Sequence, residues 1–162
     1  SLLRMSDAAS MAILRDDRDL LWLAISVEDL NERDLVFDVH MLARDEPEEA
    51  PVPFLSGFSY CEPLAGLRGL LDDLAGAVTG EVTALRHDPI SDGLSMELKA
   101  QRGGQGFEVV VWLDLTRMSR AMKARATRGR QQSGLRFFCT RSALEDFRSQ
   151  LASFIAGPRV FQ

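Results

Sequence analysis

The chain has 162 residues, of which 46% are hydrophobic and 27% charged, and a formal net charge of −5. That is the size of one domain with a substantial core, and the composition excludes a wholly disordered chain. No apolar run reaches the ~18 residues of a membrane helix, and the spacing of the two cysteines, Cys61 and Cys139, demands no disulfide.

In chain order, Met11 to Leu14 is a short apolar run that ends at the turn Asp16-Asp17-Arg18-Asp19. Leu21, Leu23, Ile25 and Val27 then alternate with Trp22, Ala24, Ser26 and Glu28, the period of two of a half-buried strand. A polar turn at Asp29 to Asp34 leads into Leu35, Phe37, Val39 and Met41, and such close spacing implies an antiparallel meander. Arg44 to Pro53 reads as a loop: Pro47, Pro51 and Pro53 remove backbone donors while Asp45, Glu46, Glu48 and Glu49 keep it in water.

Glu62 to Val78 reads as a helix, with Leu64, Leu67, Leu71, Leu74 and Val78 on one stripe and Pro63 in the first turn. Gly66, Gly69 and Gly76 each weaken it by up to ~1 kcal/mol relative to Ala, which a helix lying close to a sheet tolerates. Glu81 to Arg86 is a further strand. Leu94, Met96, Leu98 and Ala100 then alternate with polar residues, and Arg102 to Gly106 turns the chain into Phe107, Val109, Val111, Leu113 and Leu115. Leu135 to Cys139 is a last strand with Cys139 directed into the core. Ser142-Ala143-Leu144-Glu145 fits a capping box, and the helix continues through Phe147, Leu151, Phe154 and Ile155 to stop at Gly157-Pro158. The order predicts one α+β domain over 1–162. It has a mostly antiparallel sheet of about seven strands, helices at about 62–78 and 142–156, a basic loop or extension at about 117–134, and no internal repeat.

Trp22 lies opposite the Leu21/Leu23/Ile25 face and Trp112 opposite Val109/Val111/Leu113. Both indoles are therefore expected on the far side of the sheet with Val110 and Phe138. The C-terminal helix covers them there, or they form a patch for a partner.

Chemistry is sparse. Only His40 and His87 could serve as a histidine base, no G-x-S-x-G occurs, and Leu55 to Ser59 lacks its first glycine. His40 shares a strand face with Asp38, and His87 adjoins Asp88, but two ligands fall short of a metal site. Asp16-Asp17, Glu48-Glu49 and Asp72-Asp73 read as solvated carboxylates, and no phosphate-binding glycine loop is present. No catalytic residue, metal or cofactor is expected. Cysteine usage, and a start at Ser1 to Arg4 without the apolar core of a secretion signal, point to a reducing, cytoplasmic setting.

Charge is uneven. Residues 1–114 hold 9 basic and 22 acidic side chains, a balance of −13, whereas 115–162 hold 10 and 2, a balance of +8. Arg117, Arg120, Lys123, Arg125, Arg128 and Arg130 follow one another with no intervening acid. Such a segment pairs with the acidic half, meets an acidic protein, or neutralises nucleic-acid phosphates. It contains no aromatic residue on which a base could stack.

From Gly57 to Phe154 the succession of apolar and glycine positions resembles the WapI-type immunity proteins. The matching elements are Gly57-Phe58-Ser59-Tyr60 before the leucine helix, Gly80 to Leu85, Leu94 to Leu98, Gly106 to Val111, Leu135 to Phe138 and Leu144 to Phe147. The Arg117 to Arg130 stretch departs from that pattern, and the pattern specifies no functional residues. The resemblance implies an α+β protein without known catalysis whose named relatives bind and neutralise a toxin. The expected function is accordingly non-catalytic protein binding, of immunity type, through Trp22, Trp112 and the six cations from Arg117 to Arg130. Nucleic-acid binding through 117–130 is the alternative, and an enzyme with a site of scattered carboxylates comes third. A homo-oligomer is compatible with all three, and no membrane is involved.

Overall fold

In the computed structural model, which describes residues 11–88, 94–103, 105–114 and 132–156, the alternating runs are strands and the apolar stripes are helices. The first half contains β1 (Met11–Arg15), β2 (Leu21–Leu30), β3 (Asp34–Ala43), β4 (Val52–Pro63) and α1 (Leu64–Thr79). The second contains β5 (Ala84–His87), β6 (Leu94–Ala100), β7 (Gly106–Asp114), β8 (Gln132–Thr140) and α2 (Arg141–Ala156). The pairs are antiparallel throughout, in two four-stranded sheets of order β1-β2-β3-β4 and β5-β6-β7-β8. The α+β class, the antiparallel pairing and the two helices agree with the sequence reading. The strands divide between two sheets, and ββββα occurs twice, a repeat of topology that the sequence does not announce.

Strand β4 was not legible. It occupies an edge of its sheet, where one side of the backbone makes no ladder bonds, so Pro53 and Pro63 are tolerated within it. Its register against β3 slips between Val39 and Met41 and again between Met41 and Leu42, which blurs the alternation. Pro63 then sits at the N-cap of α1 without a side-chain cap, and the Leu64 N–H donates to the Arg33 carbonyl at 2.8 Å instead. At α2 the cap is Thr140, whose Oγ1 accepts from the Ala143 N–H at 3.1 Å, so the helix begins ahead of the predicted Ser142 cap.

One buried cluster joins both sheets and both helices. It takes Leu23, Ile25, Phe37 and Met41 from the first sheet, Met96, Val109, Val111 and Phe137 from the second, and Leu74, Phe147 and Leu151 from the helices. The helices pack on each other, α2 also lying along β1 and α1 against β4 and β5. Gly76 explains one predicted helical glycine: a Cβ there would lie 2.6 Å from Val82 Cγ2.

Polar contacts stitch the halves together. The Ile13 N–H donates to Gln150 Oε1 at 2.8 Å, and the Asp17 N–H to the Phe138 carbonyl at 2.7 Å. Arg141 donates to the Ala77 carbonyl at 2.9 Å and to that of Val78, satisfying the end of α1, and its guanidinium lies 5.2 Å from the Phe107 ring centre. Among the described residues no helix is long and apolar enough to cross a membrane.

Candidate functional site

The outer face of the second sheet is the site. Pairing of Trp112 with Gly134, Val110 with Arg136 and Glu108 with Phe138 sets these six residues on the side of β7 and β8 away from the core. Trp112 and Phe138 remain 39% and 37% exposed, two large aromatics on one hairpin face. The covering helix expected from the sequence does not lie here. Helix α2 turns Leu144, Phe147, Leu151 and Phe154 into the core, which lies behind the opposite face of this sheet.

Trp112 owes its pose to Gly134. A Cβ at that position would lie 2.6 Å from Cε3 and Cζ3 of the indole, so the ring rests directly over the backbone of β8. Phe138 is four residues further along the strand, on the order of 13 Å at about 3.3 Å per residue. Arg136 stands between the two. Its guanidinium donates to Glu108 Oε2 at 2.9 Å and lies 6.0 Å from the Phe138 ring centre, with the side chain 65% exposed.

The face continues over β6 and β5 as a shallow trough of about 410 Å³ lined by Ala84, Arg86, Glu97, Lys99, Glu108 and Val110. Arg86 is held on two sides, donating to Glu97 Oε1 at 2.9 Å and to Asp88 Oδ2 at 3.0 Å. Lys99 is exposed. The surface therefore presents two aromatics and three cations, with three carboxylates, Asp88, Glu97 and Glu108, seated on two of those cations.

Trp22 does not join this patch. It lies on the outer face of the first sheet, donating Nε1–H to Asp19 Oδ1 at 2.7 Å, with Arg15 4.2 Å and Arg44 5.3 Å from its ring centre. Arg44, its side chain 10% exposed, also reaches the Asp19 carboxylate at 2.8 Å. These contacts fix the β1–β2 turn, whose Asp16 Oδ1 accepts from the Leu20 and Leu21 N–H groups. The expected pairing of the two indoles on one surface is thus replaced by one indole per sheet, because the strands that carry them belong to different sheets. Arg117, Arg120, Lys123, Arg125, Arg128 and Arg130 lie outside the described residues.

Other titratable groups are dispersed. His40 is buried on the outer face of the first sheet, with Nε2 3.4 Å from Ser26 Oγ and no hydrogen-bond partner for Nδ1 among the described residues. Burial lowers its pKa. Asp38, on the same face, is pushed up to about 6 by burial and by the charge and hydrogen bond of Glu28. Between the sheets, His87 Nε2 lies 3.4 Å from Glu62 Oε1, with both side chains largely buried. The Cys139 thiol is pushed up to about 12 by burial and by Asp17, which leaves it a packed, unreactive group. Among the described residues no three His, Cys, Asp or Glu side chains converge as a metal site would require.

No family model matches the chain, and no curated protein matches it. Two solved chains are similar to it in structure. One is from the Trypanosoma bruciei MRP1/MRP2 crystal structures, at 14% identity and a TM-score of 0.45 over 91% of this chain and 84% of that one. The other is from a guide-RNA-binding protein complex bound to a guide RNA, at 13% identity and a TM-score of 0.48 over 90% and 88%.

Proposed function

We propose that the chain binds single-stranded nucleic acid across the outer face of β5 to β8. The observation that carries this is the exposure of Trp112 and Phe138 on one sheet face with Arg136 between them. Aromatic side chains on an open sheet offer stacking surfaces that a single strand can use and a duplex cannot, since the bases of a duplex are already stacked. Arg86, Lys99 and Arg136 supply phosphate contacts beside them. Trp112 and Phe138 stand on β7 and β8, the two strands between which the cation-rich sequence 117–130 falls. A net charge of −5 does not oppose it, because screening confines each charge to about 8–10 Å at physiological salt.

Fluorescence anisotropy with labelled oligo-dT and oligo-U tests the proposal. Stacking is worth roughly 1–3 kcal/mol per base, so Trp112→Ala and Phe138→Ala each weaken binding by about 5- to 150-fold. Binding also falls as salt is raised from 50 to 200 mM. Failure of the unaltered protein to bind either oligonucleotide at low salt, or indifference to Trp112→Ala, removes the proposal.

A protein partner is the second reading, favoured by the charge-balanced pairs Arg136–Glu108 and Arg86–Glu97 around an exposed tryptophan. Tryptophan and arginine are the residues that most often anchor protein interfaces. Its specific form is the toxin-neutralising role that the resemblance to WapI-type immunity proteins implies. A stoichiometric complex captured from nuclease-treated native lysate, stable at high salt and lost with Trp112→Ala, would favour it over nucleic acid.

A further inference from the structure

Resting on the nucleic-acid reading, we infer that Glu108 is an intramolecular competitor for phosphate, occupying on Arg136 the place that a phosphodiester takes when a strand is bound. Arg136 is the cation between the two exposed aromatics, and a strand that stacks on both must pass its phosphates beside it. The Arg136 Nη2 donor is already committed to Glu108 Oε2 at 2.9 Å. A carboxylate oxygen and a phosphate oxygen make the same charge-assisted hydrogen bond to guanidinium, so binding is an exchange of one anion for the other. The pair is exposed on the arginine side, 65% for Arg136 and 30% for Glu108, so the exchange is easy enough for a strand to achieve.

Arg86 makes the contrast. It is held by Glu97 at 2.9 Å and also by Asp88 at 3.0 Å, so removing the Glu97 charge leaves it occupied. Removing the Glu108 charge frees Arg136 from the acidic partner it holds across the hairpin. Glu108 therefore governs affinity more than Glu97 does.

Salt gives the exchange a signature. Glu108 opposes the incoming phosphate through its charge, and salt screens that opposition. The gain from Glu108→Gln is therefore largest at low salt and shrinks as salt is raised.

The test is an anisotropy titration of labelled oligo-dT at several salt concentrations. It compares the full chain with Glu108→Gln, Glu97→Gln, Arg136→Gln and the Glu108→Gln/Arg136→Gln double variant, with thermal melts to check folding. Glu108→Gln tightens binding at low salt by about 2- to 5-fold, the range of an exposed pair, and the gain shrinks as salt is raised. Glu97→Gln does less, and the gain vanishes in the Arg136→Gln background. Unchanged or weaker binding by Glu108→Gln, or a gain that persists without Arg136, overturns the inference. It would leave the nucleic-acid reading intact so long as Trp112→Ala still weakens binding. Absence of oligonucleotide binding by the unaltered protein and all variants overturns both.

Discussion

Asp38 illustrates how a single residue's surroundings set a measurable property. Its carboxyl is desolvated on the outer face of the first sheet beside Glu28, so the folded protein holds its proton up to a pH of about 6, against 3.8 ordinarily. A raised folded-state pKa means that ionisation opposes folding. The cost is absent below pH 3.8, grows between 3.8 and about 6, and is full above that. Asp38→Asn should therefore raise the melting temperature at pH 7.5 and leave it nearly unchanged at pH 3.5. An equal gain at both pH values would mean that the charge is not the cause. His40 acts in the opposite sense, since its lowered pKa makes stability fall as pH drops below 6.5. At the same scale Gly134 and Trp112 form a unit, because the indole can rest on β8 only where no Cβ stands in its way.

Between elements, an informative contact joins the two sheets. Glu62 at the end of β4 and His87 at the end of β5 face each other across 3.4 Å, in a wall shared with Ile25, Leu67, Leu94 and Leu151. A polar pair in such a setting is costly to break and cheap to replace, because removing one member strands the other in an apolar site. His87→Leu alone should destabilise the protein by about 3–5 kcal/mol in urea unfolding, whereas Glu62→Leu/His87→Leu should be no less stable than the original. If the double variant is as unstable as the single one, the pair is not the relevant interaction. The Arg141 contacts to the end of α1 are a second such link, joining the first helix to the start of the last.

At the scale of the whole molecule, the two ββββα halves share one core. Helix α2 lies along β1 of the other half, the helices pack on each other, and the buried cluster is continuous. Residues 1–80 alone would leave Leu14, Leu23, Leu71 and Leu74 without their partners from α2 and the second sheet. That fragment should give a spectrum of amide proton shifts without native dispersion and no cooperative melt. A cooperative transition in the fragment would show that the halves fold separately.

The sequence alone determined the period of both helices and of β2, β3, β6, β7 and β8, hence which side of these strands faces inward and which residues, Trp112 and Phe138 among them, face out. It also determined the α+β class and the antiparallel pairing, because alternation and short turns are local properties. It could not show β4, whose prolines read as loop until the strand is known to be an edge. Nor could it show that the strands separate into two sheets, since hairpin spacing constrains only neighbours. Whether an outward tryptophan is covered was equally beyond it: the answer depends on where α2 docks, and an amphipathic stripe specifies which side of the helix is buried but not against which sheet face. Tertiary structure decided that both helices lie on the inner side, so that neither covers the Trp112 face, because the apolar stripes of α1 and α2 and the apolar inner faces of both sheets are buried together in a single core.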